Sequence, residues 1–471
     1  MNGFILILYT YALFSVSQGL DIYEGIDKAP QSLLEYLDDK INPCDNLYKF
    51  SCGHWIKNQE RIYGNDKDII MNSSIIKFNT FVKEFEEGKL NDQSKAINSI
   101  YNLRRRCNEL PAAEIAKCQS DIFEFGKYAL GVVFINNIRT RSRESGALKK
   151  LDDMVARIKE EFRLLIDEKK DILSQGAINY LLFKLDRMLL KQNNYFDKDF
   201  YLVAMHRSYD GFLKKFESKS IQYILDYISN MDNETFFETY FYLYYGKELK
   251  SNKNYLSQYV YTYSYYNAED NIFTINQDSL NEPSFSIYYP MSLNYGYLGA
   301  IVGNEIAHAF DGENYHHTFE INEKINFNIT QKSVNNFEEK VKCFVEQYGM
   351  QKESLTNIKK NDILTLNEII ADNGGLKVAH RAYMKWLQSN GGKDRHVIGF
   401  DDFTNEQLFF IGYGRKLCEY RSKDNLEKQI KTGKHTPAEI RTNVALSNYK
   451  PFLDAFKCPA NGKMNPKEKC G

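Results

Sequence analysis

The sequence predicts a mainly α-helical fold of the α+β class with one small β-sheet. From about Ser32 to Leu256, apolar residues recur three and four positions apart between charged residues, which is the spacing of a helix that buries one face. Only nine prolines interrupt the 471 residues, so long helices are permitted. Between Tyr259 and Phe273, aromatic and β-branched residues dominate instead, as is typical of strands.

The same periodicities predict the individual elements. In the amino-terminal half, the helical patterns are Leu151 to Leu165, Ile172 to Leu190 and Phe212 to Ile228. The polar stretch from Asn267 to Asp270 divides the strand region, which predicts a hairpin or an edge strand that could bind an extended peptide. Further helical patterns follow at Asn294 to Phe310, Glu368 to Asp372, Val378 to Leu387 and Glu406 to Tyr420.

The composition is that of a folded globular protein. It is 43% hydrophobic and 26% charged, and its length suffices for two or three lobes. Lys and Arg number 61 against 62 for Asp and Glu, without a long run of one sign. This balance argues against nucleic acid or an anionic membrane as a partner.

The first residues resemble a signal peptide. Met1 to Gly19 contains the apolar run Phe4 to Phe14, followed by small residues, which predicts cleavage near Gly19. An uncleaved anchor is the alternative, although the run is shorter than the roughly 20 residues that span a bilayer. No later segment is long and apolar enough to span. We therefore expect a secreted, extracellular protein.

The cysteines agree with that compartment. There are eight, an even number, and none has the C-x-x-C spacing of a metal or redox site, so disulfides are expected. Three N-x-S/T patterns, at Asn72, Asn233 and Asn328, are candidate glycosylation sites.

A short motif carries the first sign of chemistry. Residues Asn304-Glu305-Ile306-Ala307-His308 differ from the zinc-peptidase pattern H-E-x-x-H at one position, where Asn304 replaces the first histidine. In the intact pattern two imidazoles on one helix face hold Zn²⁺, and the Glu acts as general base on the bound water. Taken alone, E-x-x-H also fits an ordinary amphipathic helix.

A second segment supports the chemical interpretation. Some sixty residues later, Glu368 and Asp372 have the E-x-x-x-D spacing that places a ligand Glu and a supporting Asp one turn apart on the same helix face. Both patterns arising by chance in one chain is improbable.

With these residues the sequence resembles the neprilysin and endothelin-converting-enzyme family of zinc metallopeptidases. The resemblance spans the chain and is strongest from about 290 to 471. It rests on Pro43 to Trp55, Ser292 to Gly296 with the helix after it, Asn367 to Gly375, Leu408 to Cys418, His435 to Pro437 with Arg441, and Met464 to Cys470. It implies a zincin-like catalytic-type domain.

The resemblance also implies roles at the metal. Glu305 would be the general base, and His308 and Glu368 would be zinc ligands, with Asn304 at the lost ligand position. Asp372 would orient a ligand, and Asp311 would do the same for His308. Zinc, one ion in the family, is the implied cofactor.

Other implied roles concern the substrate. His435 matches the histidine that stabilises the oxyanion, and Arg441 matches the arginine that holds a substrate carbonyl. Tyr263 and Ser264 occupy the edge-strand positions where the family has Asn and Ala, which bind the substrate backbone. The resemblance therefore implies weaker binding of the substrate here.

The signal segment, the change of pattern near residue 260 and the resemblance together predict the chain's organisation. A signal peptide at 1–19 would precede an amino-terminal region at 20–260, which contains a shortened helical lobe, and a metallopeptidase-like domain at 261–471. The stretch between Trp55 and the edge strand is about half of what the family carries. The implied disulfides are Cys44 with Cys458, Cys52 with Cys418, Cys343 with Cys470, and Cys107 with Cys118.

Two hypotheses follow. The favoured one is a catalytically impaired pseudopeptidase that binds zinc weakly or not at all and binds peptides or a protein partner, because Asn304 leaves two ligands where catalytic zinc usually has three. The alternative is an active zinc metalloendopeptidase that works through Glu305. His316 and His317 follow the motif beyond the turn that presents His308, and we interpret them as surface residues.

Overall fold

The structure is a computed structural model, and it describes residues 28–64, 69–70, 73–191, 200–230, 264–315, 330–359, 365–433 and 435–470. Several predicted features lie outside these ranges. They are the signal segment at 1–19, Tyr263, His316, His317, and the glycosylation candidates Asn72, Asn233 and Asn328.

Helices dominate the described part of the amino-terminal half. In chain order they are α1 (Lys28–Tyr36), α2 (Leu47–Tyr63), α3 (Ser73–Glu86), α4 (Lys95–Arg106), α5 (Ala112–Glu144), α6 (Ala147–Asp167), α7 (Gln175–Arg187), α8 (Phe200–Phe216) and α9 (Ile221–Ser229).

The carboxyl-terminal half is also mainly helical, so the predicted fold class is confirmed. Its helices are α10 (Met291–Asn294), α11 (Ala300–Ala307), α12 (Gln331–Gly349), α13 (Leu366–Ser389), α14 (Asn405–Arg415), α15 (Lys423–Thr432), α16 (Ala438–Ser447) and α17 (Lys450–Ala455). A π-helical turn at Tyr295–Gly299 joins α10 to α11, and a 3₁₀ turn at His308–Phe310 follows α11. Together these four segments form the predicted helix around Asn304.

Some predicted boundaries are wrong. The helix predicted from Phe212 to Ile228 is two helices, because Ser220 caps α9 by accepting a hydrogen bond from the backbone N–H of Tyr223. The pattern from Ile172 to Leu190 also runs too far, since its last residues belong to a strand.

Two further patterns needed correction. The segments at Glu368 and at Val378 to Leu387 belong to one continuous helix, α13. Conversely, Glu406 to Tyr420 is not helical throughout, because α14 ends at Arg415 and a short strand follows.

The described strands form two small sheets. Strands β2 (Leu189–Lys191), β3 (Tyr265–Asn267) and β4 (Ile272–Thr274) make one sheet in the order β2-β4-β3. The antiparallel pair β3 and β4, with Tyr266 opposite Phe273, is the hairpin predicted from the sequence. Strand β2 runs parallel to β4 on its other side. The second sheet pairs β1 (Ile69–Ile70) with β5 (Glu419–Tyr420).

Two large groups of buried apolar residues hold the helices together. One lies among α3, α4, α5, α8 and α9 and is rich in phenylalanine. The larger one combines α6 and α7 with α11, α13 and α14, so helices from both halves of the chain share one apolar core.

All eight cysteines form the four predicted pairs. The bonds join Cys44 to Cys458, Cys52 to Cys418, Cys107 to Cys118 and Cys343 to Cys470. Two of them tie α2 and the turn before it to the carboxyl-terminal half of the chain. Among the described residues, no helix is long and apolar enough to cross a membrane.

Candidate functional site

The site lies where α11 crosses α13 at very short range. A Cβ on Gly303 would lie 2.7 Å from the carbonyl oxygen of Gly375, and a Cβ on Gly375 would lie 2.6 Å from the backbone nitrogen of Asn304. Two glycines therefore permit the backbones to approach each other. This approach brings the side chain of Asn304 to that of Asp372.

Asn304 is bonded to the neighbouring helix. Its amide nitrogen Nδ2 donates to Oδ1 of Asp372 at 3.2 Å, and Asn304 is buried. The N–H end of the amide is thereby used within the protein. Its carbonyl oxygen is the remaining group with a lone pair.

Asp372 accepts several hydrogen bonds. Besides Asn304, the ammonium of Lys416 lies 3.0 Å from Oδ1, and Arg441 contacts both oxygens, with Nε 2.6 Å from Oδ2 and Nη2 3.0 Å from Oδ1. Burial raises the pKa of Asp372, but the two cations outweigh burial and hold that pKa below its ordinary value. The carboxylate is therefore ionised, and both of its oxygens accept hydrogen bonds.

Glu368 lies one turn before Asp372 on α13 and faces three cationic or basic groups. Arg441 Nη2 is 2.9 Å from its Oε2, while His435 Nε2 and His308 Nε2 are 3.2 and 3.5 Å from its Oε1. Burial opposes ionisation of Glu368, yet the positive charge of Arg441 and the contact with His435 lower its pKa well below the ordinary range. The structure thus brings the two predicted ligands, His308 and Glu368, together.

His308 is oriented by Asp311. Its Nδ1 lies 3.0 Å from Oδ2 of Asp311, whose other oxygen accepts the backbone N–H groups of Glu313 and Asn314. Burial would lower the pKa of His308, but the bond to Asp311 and the charges of Glu368 and Glu305 raise it to about 9.

Glu305 lies on the same helix and is buried. Burial raises its pKa to about 7; the positive charge of His308 opposes the rise, and the negative charge of Glu368 adds to it. A carboxyl group with this pKa can exchange a proton near neutral pH, which is the property of a general base or acid.

The predicted substrate residues differ in exposure. Arg441 is buried in its bonds to Asp372 and Glu368, whereas the side chain of His435 is 57% exposed. On the hairpin, the hydroxyl of Ser264 accepts the backbone N–H of Asn276, and the side chain of Tyr265 is exposed. The substrate roles of these residues stay predictions.

The donor set does not fit a catalytic zinc ion. His308 and Glu368 supply one imidazole and one carboxylate, whereas Asn304 supplies only an amide oxygen, a poor partner for zinc compared with imidazole. Among the residues that the structure describes, no three His, Cys, Asp or Glu side chains are placed to hold a metal ion.

Two contributors to the site were missed from the sequence. In the sequence Gly375 is only the last residue of the Asn367 to Gly375 motif, and its close approach to Gly303 has no periodic signature. Lys416 is part of no zinc-peptidase pattern, and it is far in sequence from the helices that carry Asn304 and Asp372. A lysine directly after a buried apolar helix was the available signal.

Comparison with known sequences gives a consistent result. The pattern of Peptidase family M13 matches residues 263–471. Neprilysin-1 of Caenorhabditis elegans is 30% identical over 350 residues, which cover 73% of this chain and 44% of that protein. Human endothelin-converting enzyme 1 is 35% identical over 207 residues, which cover 44% of this chain and 26% of the enzyme. The chain thus spans less than half the length of these curated relatives.

Solved structures agree on the fold. A zinc metalloprotease of Mycobacterium tuberculosis in its open state superposes with a TM-score of 0.54 at 20% identity, covering 76% of this chain and 52% of that one. A chain of the Haemonchus galactose containing glycoprotein complex gives a TM-score of 0.52 at 23% identity, covering 72% of this chain and 51% of that one.

Proposed function

The chain belongs to the neprilysin and endothelin-converting-enzyme family of zinc metallopeptidases, and from that membership we propose that it is a secreted, zinc-defective pseudopeptidase that binds peptides. Its four disulfides support an oxidising, extracellular location.

The main support for this proposal is the hydrogen bond that Asn304 donates to Asp372. In a zinc site of this type, an imidazole at position 304 would use one ring nitrogen for the metal and the other for the carboxylate. An amide that donates its N–H to Asp372 has only a neutral carbonyl oxygen left. The family's metal geometry would then rest on His308 and Glu368, one ligand short of the usual three.

The hairpin supports peptide binding without catalysis. Strand β3 pairs with β4 on one side, and within the described residues no strand pairs with its other edge. An extended peptide can add to such an edge through main-chain hydrogen bonds, which require no metal. The exposed ring of Tyr265 lies on this edge strand and offers an apolar contact.

An active metalloendopeptidase is the second candidate. The observation in its favour is that Glu305, His308 and Glu368 remain close together, with Nε2 of His308 3.5 Å from Oε1 of Glu368. The base and two ligands that the family uses are thus in one pocket.

Zinc content separates the two candidates. We expect the purified protein to contain far less than one zinc per chain by elemental analysis, and Asn304→His to bind zinc more tightly. Asn137→His, on the partly exposed face of α5, is the matched control for a histidine that binds zinc adventitiously. Stoichiometric zinc in the unmodified protein would overturn the pseudopeptidase proposal.

Peptide cleavage and peptide binding complete the test. A fluorogenic peptide library is expected to show no turnover, and any turnover that Glu305→Gln abolishes would establish the enzyme instead. Fluorescence polarisation with labelled extended peptides should detect binding that EDTA does not change. Binding that EDTA removes would contradict a metal-independent peptide site.

A further inference from the structure

Lys416 places a buried positive charge inside the candidate site. It follows the last residue of α14, and its side chain is 3% exposed. Its ammonium lies 3.0 Å from Oδ1 of Asp372 and 4.7 Å from the centre of the Tyr413 ring. Two residues later, Cys418 is bonded to Cys52 of α2, so the backbone that carries Lys416 is fixed.

The charges of the pocket are balanced by side chains. Glu305, Glu368 and Asp372 are its acidic groups, and Asp372 and Glu368 are both bonded to Arg441. Lys416 adds a second cationic side chain at Asp372. Because buried carboxylates are costly unless they are paired, these two cations offset part of the cost of burying the acidic groups.

We propose that Lys416 is an internal cation that replaces the electrostatic role of the metal in this pocket and keeps the site metal-free. The inference rests on the proposed pseudopeptidase function and deepens it. Asn304 removes one metal ligand. Lys416 has a separate effect, because its ammonium adds positive charge to the site and hydrogen-bonds to the carboxylate of Asp372.

Two physical effects follow from the position of Lys416. A divalent cation held by Glu368 and His308 would face the fixed charges of Lys416 and Arg441 at short range, where repulsion is weakly screened. In addition, Oδ1 of Asp372 accepts from Lys416 and Arg441, so a ligand histidine at position 304 would share that oxygen with two cations. A carboxylate that is shared in this way polarises a ligand imidazole less.

The decisive experiment compares zinc affinities in a short variant series. The dissociation constant for Zn²⁺ is measured by competition with a chromogenic chelator for Asn304→His, Asn304→His with Lys416→Met, and Asn304→His with Lys416→Arg. Supporting groups around a metal change affinity by about 10 to 100-fold, so we expect the Met double variant to bind zinc more tightly than Asn304→His by that factor. The Arg double variant keeps the charge and should bind as weakly as Asn304→His.

The matched control removes a lysine that lies far from the site. Lys385 on α13 is paired with Glu161, and it lies 13 residues from Asp372, about 20 Å along the helix. Asn304→His with Lys385→Met should bind zinc as Asn304→His does. Equal affinity of Asn304→His and its Lys416→Met derivative would overturn the proposal, whereas stoichiometric zinc in the unmodified protein would overturn the pseudopeptidase function itself.

Thermal unfolding is measured as well, because Lys416→Met could weaken the fold and so lower zinc affinity for an unrelated reason. Lys416→Met alone should lower Tm, because Asp372 loses one of its cations. Added Zn²⁺ should raise the Tm of the Asn304→His and Lys416→Met double variant and leave that of the unmodified protein unchanged. A double variant that is folded at low temperature and shows no zinc-dependent rise in Tm would contradict the proposal.

Discussion

The guanidinium of Arg441 grips Asp372 at two points, with Nε 2.6 Å from Oδ2 and Nη2 3.0 Å from Oδ1. Both residues are buried, and Nη2 also contacts Glu368 at 2.9 Å. Arg441 therefore stabilises the packing of α16 on α13, and this structural role is separate from any contact with a substrate.

Arg441→Lys should destabilise the protein although it preserves the charge. An ammonium cannot reproduce the two parallel bonds to Asp372, and a lost hydrogen bond to a charged group costs about 1.5 to 3 kcal/mol. We expect a decrease of that size in the free energy of unfolding, measured by denaturant titration. Arg157→Lys is the control, since Arg157 forms an exposed pair with Asp153 and its substitution should change stability by less than about 0.5 kcal/mol. Equal effects of the two substitutions would contradict a structural role for Arg441.

Asp372→Asn should be more damaging than the loss of either cation. The substitution leaves Lys416 and Arg441 buried without their shared anion, and breaking a buried ion pair in this way costs about 3 to 5 kcal/mol. Denaturant unfolding of the variant measures this loss. Asp153→Asn removes one partner of an exposed i,i+4 pair with Arg157 and should cost less than about 1 kcal/mol. A similar small cost at both positions would mean that the Asp372 network contributes little.

The sequence allowed much of the site to be predicted because its residues lie in two short helical motifs. Within E-x-x-H and E-x-x-x-D the helix period alone places Glu305 near His308 and Glu368 near Asp372. The close packing of α11 on α13 then follows from small residues in both segments. The disulfide pairs were likewise predicted, although through the resemblance to the family rather than through spacing.

Lys416 shows what such motifs cannot supply. It lies 44 residues after Asp372 in sequence, directly after a different helix, and its contact depends on how α14 packs against α13. No local pattern encodes that packing. The break between α8 and α9 has a different cause, since the cap at Ser220 outweighed an apolar periodicity that continues across it.

The stabilising effects of the disulfides Cys44–Cys458 and Cys52–Cys418 should overlap, so that loss of one bond costs less while the other is intact. Both join the turn before α2, or α2 itself, to the carboxyl-terminal domain, with sequence separations of 414 and 366. While one bond is intact, the other closes a ring of only about 50 residues, and loop-closure entropy grows with the logarithm of ring size. Removing the second bond should therefore cost about 2 kcal/mol more than removing the first.

A double-mutant cycle of serine pairs at these cysteines checks the redundancy. Free energies of unfolding are measured for each pair and for both together. The local Cys107–Cys118 bond, with a separation of 11, is the control, and its removal should add independently to either loss. Strict additivity between the two long-range bonds would contradict the shared-ring explanation.

Lys184 should make the protein more stable as the pH rises above neutrality. It is fully buried on α7, where its ammonium donates to the backbone oxygen of Asn314 at 2.5 Å. Burial lowers the pKa of Lys184 to about 8 from its ordinary 10.5, with the charge of Asp311 opposing that change. Between pH 8 and 10.5 the unfolded chain therefore holds a proton that the folded protein has released, and the free energy of unfolding increases with pH.

Comparison of the unmodified protein with Lys184→Met isolates this contribution, because the other titrating groups are common to both. The difference in the free energy of unfolding should change by up to about 3 kcal/mol between pH 8 and 10.5, with the unmodified protein gaining. Between pH 6 and 7 the difference should be constant, since Lys184 is protonated in both states there. A difference that stays constant across the whole range would show that the folded protein does not lower the pKa of Lys184.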